Sequence, residues 1–327
     1  MEKQIATKFF IKRQRRKRRR LIQTFVLILI TVVAVGFVFM FFRGISGKSG
    51  GLVNPFVSSG SNLNSPNGVN PPEAENQIEK AVKNALVDTK GDYAVAIKNL
   101  KTGESYFLNE KKIYETGSLY KLWVMATAYQ QIQEGILTKD EILSDSVRNL
   151  NQKFNIGPAD AEMTSGAFSM SVASAIKQMI TISHNYAAML LTDKVKSSSV
   201  EIFLKSNIFS SSALREGVEA PSSNAFDIML FFEKLYKGEL ANPEDTTEML
   251  EILKGQQSDG GLPKYLPPTT IVANKTGDIG WFKHDAGIVY TEKGDYIIVV
   301  MSKSDSPAGA QDRIALISKA VYEYFNK

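Results

Sequence analysis

The hydrophobic pattern of this chain changes character several times, and each change predicts a different kind of structure. Residues 21 to 42 carry no charge, and only Gln23, Thr24 and Thr31 among them are clearly polar. At about 1.5 Å per residue a helix of this length spans roughly 33 Å, enough for a hydrocarbon core of about 30 Å. A cleavable signal has an apolar region of roughly 7 to 15 residues followed by a small-residue cleavage site. This run is longer and ends in Phe39-Met-Phe-Phe-Arg43, so it reads as an uncleaved transmembrane helix. From Arg43 to about Pro72 the chain turns to Gly, Ser, Asn and Pro. Such a stretch buries too little surface to order itself, which predicts a flexible tether over 43–72.

Globular patterning begins near Glu73. Ile78, Ala81, Val82, Ala85 and Leu86 recur at helical spacing and predict an amphipathic helix over 73–88. Tyr93, Val95 and Ile97 then alternate as a strand, Lys101-Thr-Gly-Glu104 makes a turn, and Ser105 to Leu108 returns as the hairpin partner. From Ser118 to about Gly255 the period is mostly helical, with runs at 119–134, 171–195 and 224–236. Strand character comes back at 270–275, 286–290 and 296–301, and a final helix places Ile314, Ile317, Val321, Tyr324 and Phe325 on one face. Strands at both ends with helices between them predict an α+β body over 73–327. Its antiparallel sheet is flanked by the N- and C-terminal helices and carries an inserted all-helical lobe.

Charge sharpens the membrane reading. Residues 1–50 hold twelve Lys and Arg against Glu2 alone, leaving 27 basic and 33 acidic residues in the rest. The body is therefore mildly acidic, which argues against nucleic acid as a partner. The basic run Lys12-Arg-Gln-Arg-Arg-Lys-Arg-Arg-Arg20 abuts the apolar span. By the positive-inside rule the tail 1–20 is cytoplasmic and everything after the span is extracytoplasmic. The chain has no cysteine, which excludes disulfides, thiolate metal sites and a cysteine nucleophile. No metal or cofactor motif is present, and a monomer is expected.

Three short strings occur in one order: Ser118-Leu-Tyr-Lys121, Ser183-His-Asn185 and Lys275-Thr-Gly277. Each has background copies, namely Ser174-Ala-Ile-Lys177, Ser65-Pro-Asn67, Ser222-Ser-Asn224 and Lys101-Thr-Gly103, so context must choose among them. Ser118 precedes a long apolar helical run and is expected at a helix N-terminus, where backbone N–H groups and the dipole favour negative charge. Lys121 lies one turn along the same face and can act as general base if burial lowers its pKa. Ser183 and Asn185 interrupt a run fit for a buried core, a cost that a cleft would use and that a simple helix cap would also explain. Lys275 and Thr276 end an apolar strand and can bind a carboxylate, while Gly277 would let a substrate backbone approach the strand edge. The tether also contains Gly47-Lys-Ser-Gly-Gly51, a nucleophile-elbow string without the strand and helix such an elbow requires.

The ordered strings resemble those of the class A β-lactamases and related penicillin-binding proteins. The resemblance extends to 91–100, 179–185 and 284–290 and covers about 73–327. It implies Ser118, Lys121 and Ser183 as catalytic residues. Asn185, Lys275, Thr276 and Gly277 would bind substrate, and the backbone N–H groups of Ser118 and Asp278 would form an oxyanion hole. The substrate would be a β-lactam or a peptidoglycan stem peptide, with no cofactor. Two departures stand out. His184 replaces the family's usual Asp, and no E-x-x-L-N string follows, the string whose glutamate activates the deacylating water. Glu216 and Glu219, in 210–221, are the candidate replacements. The fate of the acyl-enzyme therefore stays open among β-lactam hydrolysis, D-Ala-D-Ala carboxypeptidase or transpeptidase action, and binding without turnover. A Ser-His-Asp hydrolase would have to use His184 or His284, the only histidines, and neither has an elbow partner outside the tether.

Overall fold

Period-two alternation builds the sheet and the helical period covers it, in a computed structural model that describes residues 77–214 and 220–327. The expected tail, membrane span and tether lie outside those residues, as do Glu216 and Glu219. Among the described residues no helix is long and apolar enough to cross a membrane. The first half runs α1 (Gln77–Ala85), β1 (Asp92–Asn99), β2 (Ser105–Leu108), β3 (Tyr114–Glu115), a 3₁₀ turn (Gly117–Tyr120), α2 (Lys121–Gln133), β4 (Ile142–Ser146), α3 (Val147–Lys153), β5 (Ala167–Ser171), α4 (Val172–Thr181), α5 (Asn185–Val195) and α6 (Ser197–Ser206). Then come β6 (Ser222–Ser223), α7 (Ala225–Tyr236), α8 (Pro243–Lys254), β7 (Ile271–Ile279), β8 (Phe282–Tyr290), β9 (Tyr296–Lys303) and α9 (Pro307–Phe325).

Five strands form one antiparallel sheet in the order β2-β1-β9-β8-β7. Alternate side chains point to opposite faces, and both faces are covered. Tyr93, Val95, Ile97, Tyr296, Ile298 and Val300 join Ile78 and Val82 of α1 and Ile314, Ile317 and Val321 of α9 in one core. Ala94, Ala96, Ile297, Val299 and Met301 face the lobe in a second core built around α2. Residues Lys121 to Tyr129 of α2 are all buried, as expected of a helix that is apolar on every side. The first Lys-Thr-Gly string is a turn, as its setting predicts: the Asn99 side-chain oxygen accepts from the backbone N–H groups of Lys101 and Thr102. Gly103 supplies a φ of +78°.

Three expectations need correction. The lobe is not all helical, because β4 pairs with β5 in an antiparallel ribbon and β3 with β6 in a shorter one. Each strand of the β4–β5 ribbon feeds a helix through a serine cap, with Ser146 Oγ accepting from Asn149 N and Ser171 Oγ from Ser174 N. The run 171–195 is two helices, broken at Ile182-Ser183-His184, where Ser183 has φ +56°. A non-glycine residue there costs on the order of 1 kcal/mol. Finally, the strand carrying Lys275-Thr-Gly277 does not end there but continues to Ile279, with Gly277 opposite His284 and Asp278 opposite Lys283.

Candidate active site

The turn before α2 and the edge strand β7 interlock through two glycines. Gly117 has φ +49°, and a Cβ on it would stand 2.7 Å from the backbone nitrogen of Asp278. A Cβ on Gly277 would collide with the Thr116 carbonyl oxygen and lie 3.0 Å from Leu119 Cγ. On its Cβ side Gly277 thus makes room for the protein's own nucleophile turn, a demand that its position at the strand edge did not suggest. The close approach brings the Asp278 backbone N–H up against the turn that carries Ser118.

Ser118 sits in the 3₁₀ turn itself, half-buried, rather than at the first residue of an α-helix. In 3₁₀ geometry residues i and i+3 eclipse, so Ser118 and Lys121 project along one line. The Lys121 backbone N–H donates to the Ser118 carbonyl and closes the turn.

Lys121 is fully buried. Its ammonium nitrogen donates to the Ser183 carbonyl at 2.7 Å, Ser183 Oγ at 3.2 Å and Asn185 Oδ1 at 2.7 Å. Lys275, also fully buried, donates to the same Ser183 Oγ at 3.1 Å and to the Thr276 carbonyl at 2.7 Å. Two amines therefore converge on one hydroxyl. Burial, reinforced by the charge of Lys275 and partly offset by Glu162, pulls the Lys121 pKa down to about 7. Burial brings Lys275 to about 7 as well, against the opposing charge of Asp285. Buried cations of this kind cost stability and are the mark of a chemical site.

The left-handed backbone at Ser183 turns its carbonyl and hydroxyl together toward Lys121, and α5 then starts at Asn185. The cap of that helix is neither Ser183 nor Asn185 but His184, whose Nδ1 accepts from the Ala187 backbone N–H at 3.3 Å. Its ring stands edge-on to Phe168 at 5.2 Å. An imidazole with a free ring nitrogen does here what a carboxylate cap would do. Replacing His184 with Ala should cost about 1 kcal/mol and His184→Asp much less, as read from urea denaturation midpoints.

Behind the site lie two buried groups on β8 to which sequence reasoning gave no positive role. Asp285 accepts from Asn274 Nδ2 and the Leu262 backbone N–H, both at 2.8 Å, and burial pushes its carboxyl up to about 7. His284 bridges Glu115 O at 2.7 Å through Nε2 and the Ser302 backbone N–H at 3.0 Å through Nδ1, while its Cδ2 lies against Gly277. The Ser302 contact requires Nδ1 to accept, so the ring is neutral with its proton on Nε2. Alternation along Lys283-His-Asp-Ala286 was the available signal, since it turns one polar side chain to each face of a covered sheet.

Burial lowers the His284 pKa from 6.5 to about 4. Above pH 6.5 neither the folded nor the unfolded chain protonates it, and its contribution is intact. Between 6.5 and 4 the unfolded chain binds a proton that the folded chain refuses, so stability falls as pH falls. Because Asp285, with its carboxyl raised to about 7, acts in the opposite sense over the same range, the unfolding free energy of the wild type relative to His284→Gln, read from urea titrations, is what should fall between pH 7 and pH 4.5, by up to about 3 kcal/mol.

A cavity of about 230 Å³ opens between Ser118, Ser183, Thr276 and Gly277 and runs on to Lys283, Ser258 and Gln311. A larger one, of about 660 Å³, lies at the far end of α2 and contains none of these groups. The smaller cavity holds the chemistry. Asn224 of Ser222-Ser-Asn224 caps α7, and Ser174 and Lys177 lie along α4, so neither background string enters the site.

Comparison with known proteins adds a family to this geometry. A family model described as the beta-lactamase enzyme family matches residues 76–325. Comparison with curated protein sequences gives no match. The fold is similar to that of the solved structure of PBP-A, with TM-score 0.66, 20% identity and coverage of 78% of this chain and 98% of that one. It is similar to a β-lactamase from Sphaerobacter thermophilus DSM 20745, with TM-score 0.67, 22% identity and coverage of 76% and 97%. A variant of PBP-A solved as an acyl-enzyme complex with penicillin G matches with TM-score 0.65, 20% identity and coverage of 78% and 99%. With nearly the whole described body matched by its model, the chain belongs to the beta-lactamase enzyme family and is a serine hydrolase.

Proposed function

We propose that this protein is a membrane-anchored, extracytoplasmic β-lactam hydrolase that works through an acyl-enzyme at Ser118. The observation that carries the reading is the convergence of Lys121 and Lys275 on Ser183 Oγ, at 3.2 and 3.1 Å. Neutral Lys121 takes the Ser118 hydroxyl proton as the oxygen attacks the amide carbonyl. The oxyanion settles between the backbone N–H groups of Ser118 and Asp278. Ser183 Oγ, placed between the two amines, passes a proton to the leaving nitrogen as the carbon–nitrogen bond breaks. Lys275 and Thr276 hold the substrate carboxylate, and Asn185 holds the carbonyl of the acyl side chain. Water then cleaves the ester, releasing the acid and restoring the Ser118 hydroxyl. The basic tail 1–20 and apolar run 21–42 support anchoring with the N-terminus in the cytoplasm.

A second reading, D-Ala-D-Ala carboxypeptidase or transpeptidase, shares every acylation step. The absence from the sequence of an E-x-x-L-N string after Asn185 favours it. The full-length protein in detergent separates the two when mixed with a penicillin and followed by intact mass. An adduct that forms and disappears within seconds supports hydrolysis. One that persists for hours, with D-Ala released from a D-Ala-D-Ala peptide, supports the peptidase.

A further inference from the structure

Glu162 lies in the connection between α3 and β5, a stretch without hydrophobic period. Its carboxylate accepts a hydrogen bond from Asn185 Nδ2 at 2.5 Å, while Asn185 Oδ1 accepts from Lys121 Nζ at 2.7 Å. Both ends of the amide are thereby engaged. An ammonium can only donate and a carboxylate can only accept, so the two contacts fix which way the amide faces. One N–H of Nδ2 is left over for a substrate carbonyl. Any acyl group received there lies beside the Glu162 carboxylate.

That carboxylate is exposed, and among the described residues no cation pairs with it. Its charge is nonetheless felt inside the site, where it offsets part of the burial effect on Lys121. The cationic side of the cleft, Lys275 with Thr276, handles the substrate's carboxylate end. The acyl end therefore meets the opposite sign.

Resting on the acyl-enzyme reading above, we infer that Glu162 is a specificity-determining residue that reads charge on the substrate's acyl portion. It favours an ammonium-bearing acyl group over a neutral one, and a neutral one over a carboxylate. A unit charge received about 5 Å from Glu162, in a cleft between bulk water and protein surface in its screening, should change the acylation rate constant by about tenfold. The preference should shrink as salt rises, because the carboxylate is exposed.

The test uses benzylpenicillin with its α-amino and α-carboxy derivatives, three probes with one nucleus and one ring. Second-order acylation rate constants are measured by intact mass on the full-length protein and on Glu162→Gln. Glutamine retains an oxygen that can accept from Asn185 and removes only the charge, so a merely structural role leaves the ratio among probes unmoved. The expected result is a wild-type order of amino above neutral above carboxy. In Glu162→Gln the amino-to-carboxy ratio should fall at least tenfold, while the neutral probe changes less than threefold. An unchanged ratio, or a uniform loss across all three, overturns the assignment of Glu162 while leaving acylation standing. No adduct with any probe would overturn the acyl-enzyme reading and this inference together.

Discussion

Replacing Lys121 with Met is expected to slow acylation of Ser118 by about 10²- to 10⁴-fold, the range typical of a lost general base. Methionine fills the same buried channel, and removing a cation held without a carboxylate partner among its hydrogen bonds relieves a desolvation cost. Folding should survive, with the melting temperature within a few degrees of wild type. The pH profile of the wild type carries the same assignment. Lys121 must be neutral to accept a proton, so the rate should rise with pH through about 7. Lys275 must be charged to hold a carboxylate, so the rate should fall again as that amine deprotonates. Because the two amines share Ser183 Oγ, the limbs of this bell belong to the pair rather than to either residue. Stopped-flow acylation between pH 5 and 9 measures both limbs, and the rising limb should vanish in Lys121→Met.

The second large effect is expected from one methyl group. Gly277→Ala puts a Cβ into the Thr116 carbonyl oxygen and against Leu119 Cγ and His284 Cδ2. Backbone on one side and the buried Leu119 and His284 side chains on the other leave it little room. The strand must move away from the nucleophile turn, and with it the Asp278 N–H. Loss of one oxyanion donor costs about 10²- to 10³-fold in rate, and that is the expected drop in acylation. Binding of a substrate carboxylate by Lys275 and Thr276 should be much less affected, so the loss should appear in the acylation step rather than in affinity. Gly117→Ala should behave alike, since it meets the same Asp278 backbone from the other side and also needs φ +49°.

The sheet and its covering helices were legible because both obey simple periods. Tyr93, Val95 and Ile97 alternate, and Ile314, Ile317 and Val321 recur at helical spacing, and each set lies in the core its period implies. The choice among repeated strings was also legible. A Lys-Thr-Gly between two short strands is a turn, whereas the one inside an apolar strand reaches the cavity. What escaped the sequence depends on contacts between distant segments. That Gly277 must also clear the nucleophile turn shows only when Thr116 is placed against it. Ser183 shows nothing in its neighbours that announces a left-handed backbone, and the helical period runs straight through it. His184 was visible as a departure, but its work as a cap needs the break between α4 and α5. Glu162 carries no pattern at all. Only the fold brings its connection to Asn185.

The central claim is that Ser118 is the residue acylated, with Lys121 and Ser183 serving it. The most direct measurement is intact mass of the full-length protein after brief exposure to a penicillin at pH 7, followed by acid quench, digestion and peptide mapping. One adduct per chain should form, located on the peptide containing Ser118 and absent from Ser118→Ala. An adduct that maps elsewhere, or that forms equally on Ser118→Ala, would contradict it.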